Sequence, residues 1–495
     1  MSRQDEIRSA RIAKKTNLED QGINPYPSDV KKDFDNAYLE KNFSKIKKEK
    51  AGKNINLAGR IMSIRGSGKI AFVELYDGTG RFQVVLKLDE TGKKQMSFFK
   101  DNFDIGDFAQ FTGTLFVTKT KQKSLLVKKA RMLTKSLLPL PEKWHGIKDE
   151  EERFRKRYLD MVMNPEVVDM IKRKALFWQT ARNFFINHGF IEVETPTLEV
   201  TTGGAEARPF KTYHNDYDMD VFMRISVGEL WQKRLMAAGL PKTFEIGRVY
   251  RNEGSSPEHA QEFTNLEFYW AYADYQDGMK LVTKLYRTLA KTVYGTTKFT
   301  TRGHTFDLAD EWKIVDYRQE IKKKTKIDIL TATEKEMKTK LKELGVQYEG
   351  DNRERLADTL WKYCRKKISG PAFLVGHPKL VSPLSKPMKD NPELTQRFQP
   401  ILAGSEVGNG FSELNDPIDQ KERFDVQQNL IDRGDDEAMM ADDEFVEMLE
   451  HGMPPACGFG FGERLFGFFE DKTLRETQTF PLMRPEQVKS TDKKK

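Results

Sequence analysis

Cysteine is almost missing from this chain. Cys364 and Cys457 are the only two in 495 residues, which excludes a disulfide framework and a cysteine-held metal cluster. Both are expected as packing residues in a reducing compartment, the cytoplasm. Long apolar runs are also missing: no stretch approaches the length of a membrane span, so no membrane partner is expected. The opening MSRQDEIRSARIAKK is too charged for a secretory leader. No Walker-type phosphate loop and no kinase motif occurs, which leaves the common phosphoryl-transfer folds without support. A composition of 38% hydrophobic and 32% charged residues excludes wholesale disorder. The length allows two or three domains, each with its own core.

Charge is present but unevenly spread. Residues 1–150 hold 30 Lys+Arg against 19 Asp+Glu, a net of +11, while the other 345 hold 53 against 56, a net of −3. A basic amino-terminal third suggests a polyanion held at one end. A lysine-rich solvated surface explains the same numbers.

The texture of the chain changes along its length. RQDEIRSARIAKKTNLEDQG reads as a helix closed by Gly22, within an amino-terminal extension over 1–53. The basic KNFSKIKKEKAGK follows and reads as a linker. Residues 54–138 then carry five short strand patterns, with the hairpin turn DGTG between the second and third and a helical KQMSFFKDNF between the third and fourth. That order predicts a small five-stranded barrel of the oligonucleotide-binding kind. A connector is expected over 139–160 and a larger α+β domain over 161–487. The second domain opens on a long amphipathic helix closed by Gly189. An inserted helical element is expected at about 310–370, a final helix after EVGNGFSEL, and a disordered tail at 488–495.

The most concentrated chemistry lies in RNEGSSPEHAQEFTNLEFY, residues 251–269. Read as the two arms of a hairpin, it puts Phe263, Asn265, Glu267 and Tyr269 on one face, because residues two apart on a strand share a side. The first arm pairs Arg251 with Glu253. Further on, NGFSE groups Asn409, Phe411 and Glu413 in the same way. A solvated sheet face with incidental ion pairs would account for any one of these strands. Three together, each with glycine nearby, point to a pocket. An arginine suits an α-phosphate and the charge that builds on it. Phe263 can stack a purine, and glutamates with a tyrosine suit an ammonium that needs acceptors on several sides. The simplest reading is an enzyme that brings ATP and a cationic amine together.

These residues also carry a resemblance. FEIGRVYRNEG with EFTNLEFYWAYADY resembles motif 2 of the class II aminoacyl-tRNA synthetases. FIEVETPTLEV, with Pro196, resembles the dimer-interface motif 1, and GFGFGERL with TFPLMRP resembles motif 3, whose arginine is Arg464. GGAEARPF, EVGNGFSELNDP and RYLDM are similar to blocks of the lysyl-tRNA synthetases within that class, and the similarity runs from about residue 5 to 486. The resemblance implies an α+β protein: an amino-terminal OB-fold barrel that reads the anticodon, then an antiparallel catalytic sheet flanked by helices. It implies a homodimer that joins L-lysine to tRNA(Lys) through a lysyl-adenylate, with ATP as substrate and Mg2+ as cofactor. Arg251 and Arg464 would be catalytic. Glu253, His259, Phe263 and Glu406 would join them around ATP. Gly204, Glu229, Arg251, Glu267, Tyr269, Asn409, Phe411 and Glu413 would hold lysine, and Phe72 with Gln83 would meet the anticodon.

Four places depart from the family pattern. Where a magnesium-binding glutamate is expected seven residues before Glu406 stands Gln399, an amide that can still ligate a hard cation but brings no charge. The motif 3 glycines sit one residue closer to Arg464 than usual. RISVGELWQKR carries one extra residue before Glu229. In the barrel, Lys129 replaces a glutamate, and Phe72 taken alone also fits a core position. Two rivals keep the fold: an aspartyl- or asparaginyl-type synthetase, which needs a cationic side-chain pocket, and a retired, non-catalytic tRNA-binding paralogue. A translation-factor lysyltransferase would lack the barrel.

Overall fold

The computed structural model describes residues 2–66, 68–141, 149–205, 207–254, 256–348, 350, 352–433 and 438–485. Contacts divide the chain into two units, Met1–Asp149 and Glu150–Lys495. The expected tail at 488–495 and residues 142–148 of the expected connector lie outside the described residues. The connector's remaining described end is helical, over Glu150–Arg155 and Arg157–Met163.

In the first unit, strands β1 (Ile55–Arg65), β2 (Ile70–Tyr76), β3 (Arg81–Lys87), β4 (Phe108–Val117) and β5 (Lys123–Thr134) pair in a closed ring, in the order β1-β2-β3-β5-β4. Period-two alternation sorts their side chains: Ala71, Val73 and Leu75 of β2 are buried, while Phe72, Glu74 and Tyr76 between them are partly exposed. The DGTG turn is tied by Asp77, whose carboxylate accepts from the backbone of Thr79 and Gly80 at 2.9 and 3.1 Å. β4 and β5 slip register beside Gly113, where any Cβ would sit 1.9 Å from the carbonyl oxygen of Leu126. The basic segment expected as a linker is instead mostly helix, Asn36–Glu49. Its Leu39, Phe43 and Ile46 recur at helical spacing and join the barrel core, while Lys41, Lys45, Lys47 and Lys48 face water. The first helix, Arg3–Asp20, is tied to the same unit through Arg11, which donates to the carbonyls of Ser136, Leu138 and Ile105 at 2.9–3.1 Å.

The second unit is built on a nine-stranded sheet. Towards one edge is a hairpin of Lys242–Tyr250 and Glu262–Ala271, followed across the sheet by the glycine-rich strand Ala456–Gly462 and then by Asn409–Ser412 and Arg397–Leu402. Most neighbours run antiparallel; the two outermost pairs are parallel. Helices Pro165–Asn187 and Tyr275–Tyr294 cover one face, packing Phe177, Phe185, Leu285 and Tyr286 onto Leu266, Phe268, Phe459 and Phe461. The alternate residues of the same strands face the other side, and there the cleft lies. FIEVETPTLEV does not form one strand. It is broken around Pro196 into Ile191–Glu192, on the main sheet, and Leu198–Glu199, on a separate three-stranded sheet.

The inserted element lies between the parallel strands Lys313–Asp316 and Ala372–Val375. Its helices Tyr317–Thr325, Glu334–Glu343 and Arg353–Arg365 close a core of their own around Ile321, Met337, Leu341, Leu360 and Trp361. Two helices, not the one expected, separate the last catalytic strands: Pro417–Asp432 and Asp443–His451.

Candidate active site

Every residue of the second unit singled out in the sequence lines one cleft of about 380 Å3. The hairpin register explains the floor. Asn265, Glu267 and Tyr269 lie opposite Gly247, Glu245 and Thr243 on one side and opposite Gly462, Gly460 and Gly458 on the other. Cross-strand partners share a face, so the three glycines point to the cleft and leave room there. A Cβ at Gly458 would stand 2.2 Å from Glu413 Oε1 and 2.5 Å from the Tyr269 ring. The strand ends at Gly462, and the helix Arg464–Glu470 starts after Glu463.

One expected placement changes. Arg251 and Glu253 are not on a strand: the first arm ends at Tyr250, and both residues open the loop beyond it. One more ladder bond, from Arg251 N–H to the carbonyl of Gln261 at 2.8 Å, steadies the loop's start. Gly228, left-handed at φ 67°, stands at the N-cap of the helix Glu229–Ala237.

One end of the cleft is acidic and sealed. Glu229, Glu267 and Glu413 are all buried. Glu267 is fully engaged, accepting from Val227 N–H at 2.8 Å, Asn265 Nδ2 at 3.0 Å and the Tyr269 hydroxyl at 3.0 Å. Glu413 is not: among the described residues its Oε1 is buried with no hydrogen-bond partner. A residue the sequence reading passed over, Lys233, sits among them. It is 1% exposed, with Nζ 2.8 Å from Glu229 and 2.5 Å from Glu413. Phe411 walls the same space, its ring 5.3 Å from Lys233 Nζ. Three carboxylates thus face one resident ammonium. Burial, then repulsion from Glu229, pushes Glu267 up to about 7. Burial likewise pushes Glu413 up to about 8, against the pull of Lys233. The end lacks positive charge.

The other end is cationic and more open. Arg251 lies 5.4 Å from the Phe263 ring and donates twice to the carbonyl of Ile225 at 3.3 Å. Arg464 donates to the carbonyl of Glu406 at 3.1 Å and approaches His259 Nε2 at 3.3 Å. Burial and then the charge of Arg464 push His259 down to about 4, so it is neutral at pH 7. Between the two ends, Arg397 donates to Asn409 Oδ1 at 2.8 Å, which leaves the asparagine NH2 as a donor. Glu253 and Gly204 complete the lining.

Three further residues, Glu258, Arg302 and Arg365, carried no sequence signal; Glu258 lines the cleft, and all three line an adjoining cavity. Glu258 forms an ion pair with Arg302, accepts from Ser405 at 3.1 Å and lies 3.8 Å from Arg464. Arg365, from the inserted element, is ion-paired with Glu406. Each is separated from its partner by more than 40 residues, and no local pattern announces such contacts.

Gln399 and Glu406, the candidate magnesium ligands, both line the cleft and both have protein partners. The Gln399 amide oxygen is 2.9 Å from His377 Nε2. His377 is fully buried, and burial followed by Arg397 pushes it well below its usual range, so it is neutral. Glu406 is engaged by Trp361 Nε1 at 2.6 Å as well as by Arg365. Among the described residues no three His, Cys, Asp or Glu side chains converge as a metal site.

On the barrel, Phe72 is half-buried on the outer face and takes no part in the core cluster. Gln83 lies on the same face, opposite Glu74, and donates to Ser124 Oγ at 2.8 Å. Lys129 is exposed on β5.

Comparison with known proteins agrees with both units. The family described as tRNA synthetases class II (D, K and N) matches residues 149–484, and an OB-fold nucleic acid binding domain matches residues 55–133. The chain is 41% identical over 491 residues to a lysine–tRNA ligase of Thermotoga maritima, covering 98% of each. It is 42% identical to those of Fervidobacterium nodosum and a Roseiflexus species, over 97% of this chain and 94% and 99% of theirs.

Proposed function

We propose that this chain, which belongs to the class II tRNA synthetases, activates L-lysine with ATP and transfers it to tRNA(Lys). The observation that carries lysine over aspartate or asparagine is Glu413 Oε1, a buried acceptor without a partner at the end of an acidic chamber. An ammonium completes it and supplies the missing positive charge, whereas a carboxylate is repelled and an amide brings no charge. Arg251 and Phe263 take the α-phosphate and adenine, with Glu253 near the base and Arg464 and His259 towards the outer phosphates. Lysine's α-amino group meets Glu229 beside Gly204. Its carboxylate lies between Arg251 and the Asn409 NH2, and its ε-ammonium meets Glu413, Glu267 and Tyr269, against Phe411.

The chemistry asks little of the protein beyond placement and charge. The lysine carboxylate is ionised at neutral pH and needs no general base. A carboxylate oxygen bonds to the α-phosphorus as the bond to the bridging oxygen of pyrophosphate breaks. Arg251 meets the charge developing on the α-phosphate. A terminal ribose hydroxyl of tRNA then attacks the carbonyl, and AMP leaves. Magnesium enters as the companion of ATP, part of the substrate.

The outward Phe72 and Gln83 suit a splayed anticodon base, by stacking and by edge hydrogen bonds. The exposed apolar residues Ile191, Leu198 and Val200, in the segment around Pro196, suit a second copy of the chain. No described helix is long and apolar enough to cross a membrane; cytoplasmic work fits the two free, buried cysteines.

ATP–pyrophosphate exchange without tRNA, with lysine, aspartate and asparagine in parallel, tests the reading. Exchange with lysine alone is expected. Exchange with aspartate or asparagine, or none from a folded protein that binds tRNA, would overturn it.

A further inference from the structure

The acidic chamber carries an ammonium of its own. Lys233 Nζ stands 2.8 Å from Glu229 and 2.5 Å from Glu413, with the rings of Phe411, Phe445 and Tyr269 centred 5.3–5.9 Å away. Lys233 is not among the cleft's lining residues, whereas both glutamates are, so it acts on a ligand through them. Burial opposes its charge, but Glu229 and then Glu413 outweigh burial and hold the ammonium above its ordinary range. Fully ionised, Glu229, Glu267 and Glu413 bring −3 and Lys233 brings +1, a net of −2 among buried side chains. Unmatched charge in such a place is costly. Lysine carries two ammoniums, and its carboxylate is matched separately by Arg251.

We propose that Lys233 is a positioning residue that sets the chamber's charge to fit two ammoniums, so that lysine enters in exchange for protons held on the carboxylates. Each ammonium arrives as a cation and replaces up to one proton, which passes to solvent. An amino acid with a neutral side chain brings one ammonium and leaves one charge unmatched. Without Lys233 the net would be −3, which two ammoniums do not balance. Glu267 and Glu413, raised by burial to about 7 and about 8, are the groups that hold protons near neutral pH. Tyr269 and Cys457 are pushed well above their ordinary ranges by burial and stay neutral. Arg251 acts on Glu267 as a fixed charge. Glu199, pushed by burial up to about 7, feels Glu267 but is bonded to Trp231 and does not line the cleft.

The inference rests on the reading that the chamber takes lysine, and the test separates the two. Lysine binding to the full chain is followed by titration calorimetry in buffers of different ionisation enthalpy, which counts the protons exchanged. Wild type is expected to release about one to two protons per lysine near pH 6.5, falling towards none near pH 8.5. Lys233→Met removes an opposite charge beside Glu413 and is expected to move the midpoint of that fall up by about one unit or more. Lys233→Arg keeps the charge and moves it less. A variant that had lost only packing would bind less lysine with the midpoint unmoved. Lysine binding without proton release would overturn the inference. So would release that is lost in Glu199→Gln, or a folded Lys233→Met protein with the wild-type midpoint. Should Lys233→Met not fold, the wild-type proton count and its pH profile decide. Wild type that binds no lysine at any pH would remove the lysine reading itself, and the inference with it.

Discussion

The two ends of the cleft solve opposite problems by different means. At the acidic end, three buried carboxylates face Lys233, and the shortfall of positive charge is carried as raised carboxylate pKa values. At the cationic end, Arg251 and Arg464 are guanidiniums, which stay charged at physiological pH, and Glu258 lies 3.8 Å from Arg464. The first end is a closed chamber with an unfilled acceptor. The second is a cluster of opposite charges. Selectivity is therefore expected to live at the first end, and tolerance to pH at the second.

The largest break in this contrast comes from Glu413→Gln. It removes the unpartnered acceptor and is expected to lower kcat/KM for lysine by about 10³-fold or more, as in other sites built to bond a polar substrate group. ATP binding in a fluorescence titration should not move. Lys233→Met comes next. It leaves Glu229 and Glu413 without their buried partner, and denaturant unfolding should show a loss of about 3–5 kcal/mol.

Gly458→Ala pushes a methyl group into Glu413 and Tyr269, and lysine KM should rise by about tenfold. The pH dependence follows from the sign of the shifts. A carboxylate must be ionised to hold an ammonium, and Glu267 and Glu413 titrate at about 7 and about 8. Lysine KM should therefore fall between about pH 6.5 and 8.5, by roughly tenfold per unit for each group that is titrating. ATP KM should stay nearly flat, because the residues at that end do not titrate in this window. The smallest effect belongs to Gly462→Ala, whose methyl group would lie 3.2 Å from both the Phe263 ring and Asn265 Oδ1. A rise in ATP KM of about threefold is expected, with a smaller rise for lysine.

What the sequence revealed and what it hid divide along a physical line. Barrel strands were legible because inward Ala71, Val73 and Leu75 alternate with outward residues, and because Asp77 makes a local turn. Asn265, Glu267 and Tyr269 were legible for the same reason, since a strand puts every second residue on one face. The helix Asn36–Glu49 was misread as linker because the stretch KNFSKIKKEKAGK holds six lysines against three apolar residues, although Leu39, Phe43 and Ile46 keep helical spacing. Lys233 was hidden for a different reason. Four residues after Glu229, it has the spacing of an ordinary surface pair on a helix, and only the fold puts Glu413 beside it. Arg365 sits in a highly charged helix and pairs with a residue 41 positions away. Contacts of that range leave no period in the sequence.

The most direct test of the contrast is pyrophosphate exchange with lysine and with norleucine, which has an alkyl side chain without the ammonium. The account predicts a preference for lysine of about 10⁴-fold in kcat/KM, because norleucine leaves Glu413 and its neighbours unpaired. Comparable exchange with the two amino acids would show that the acidic chamber does not select the substrate, and would contradict it.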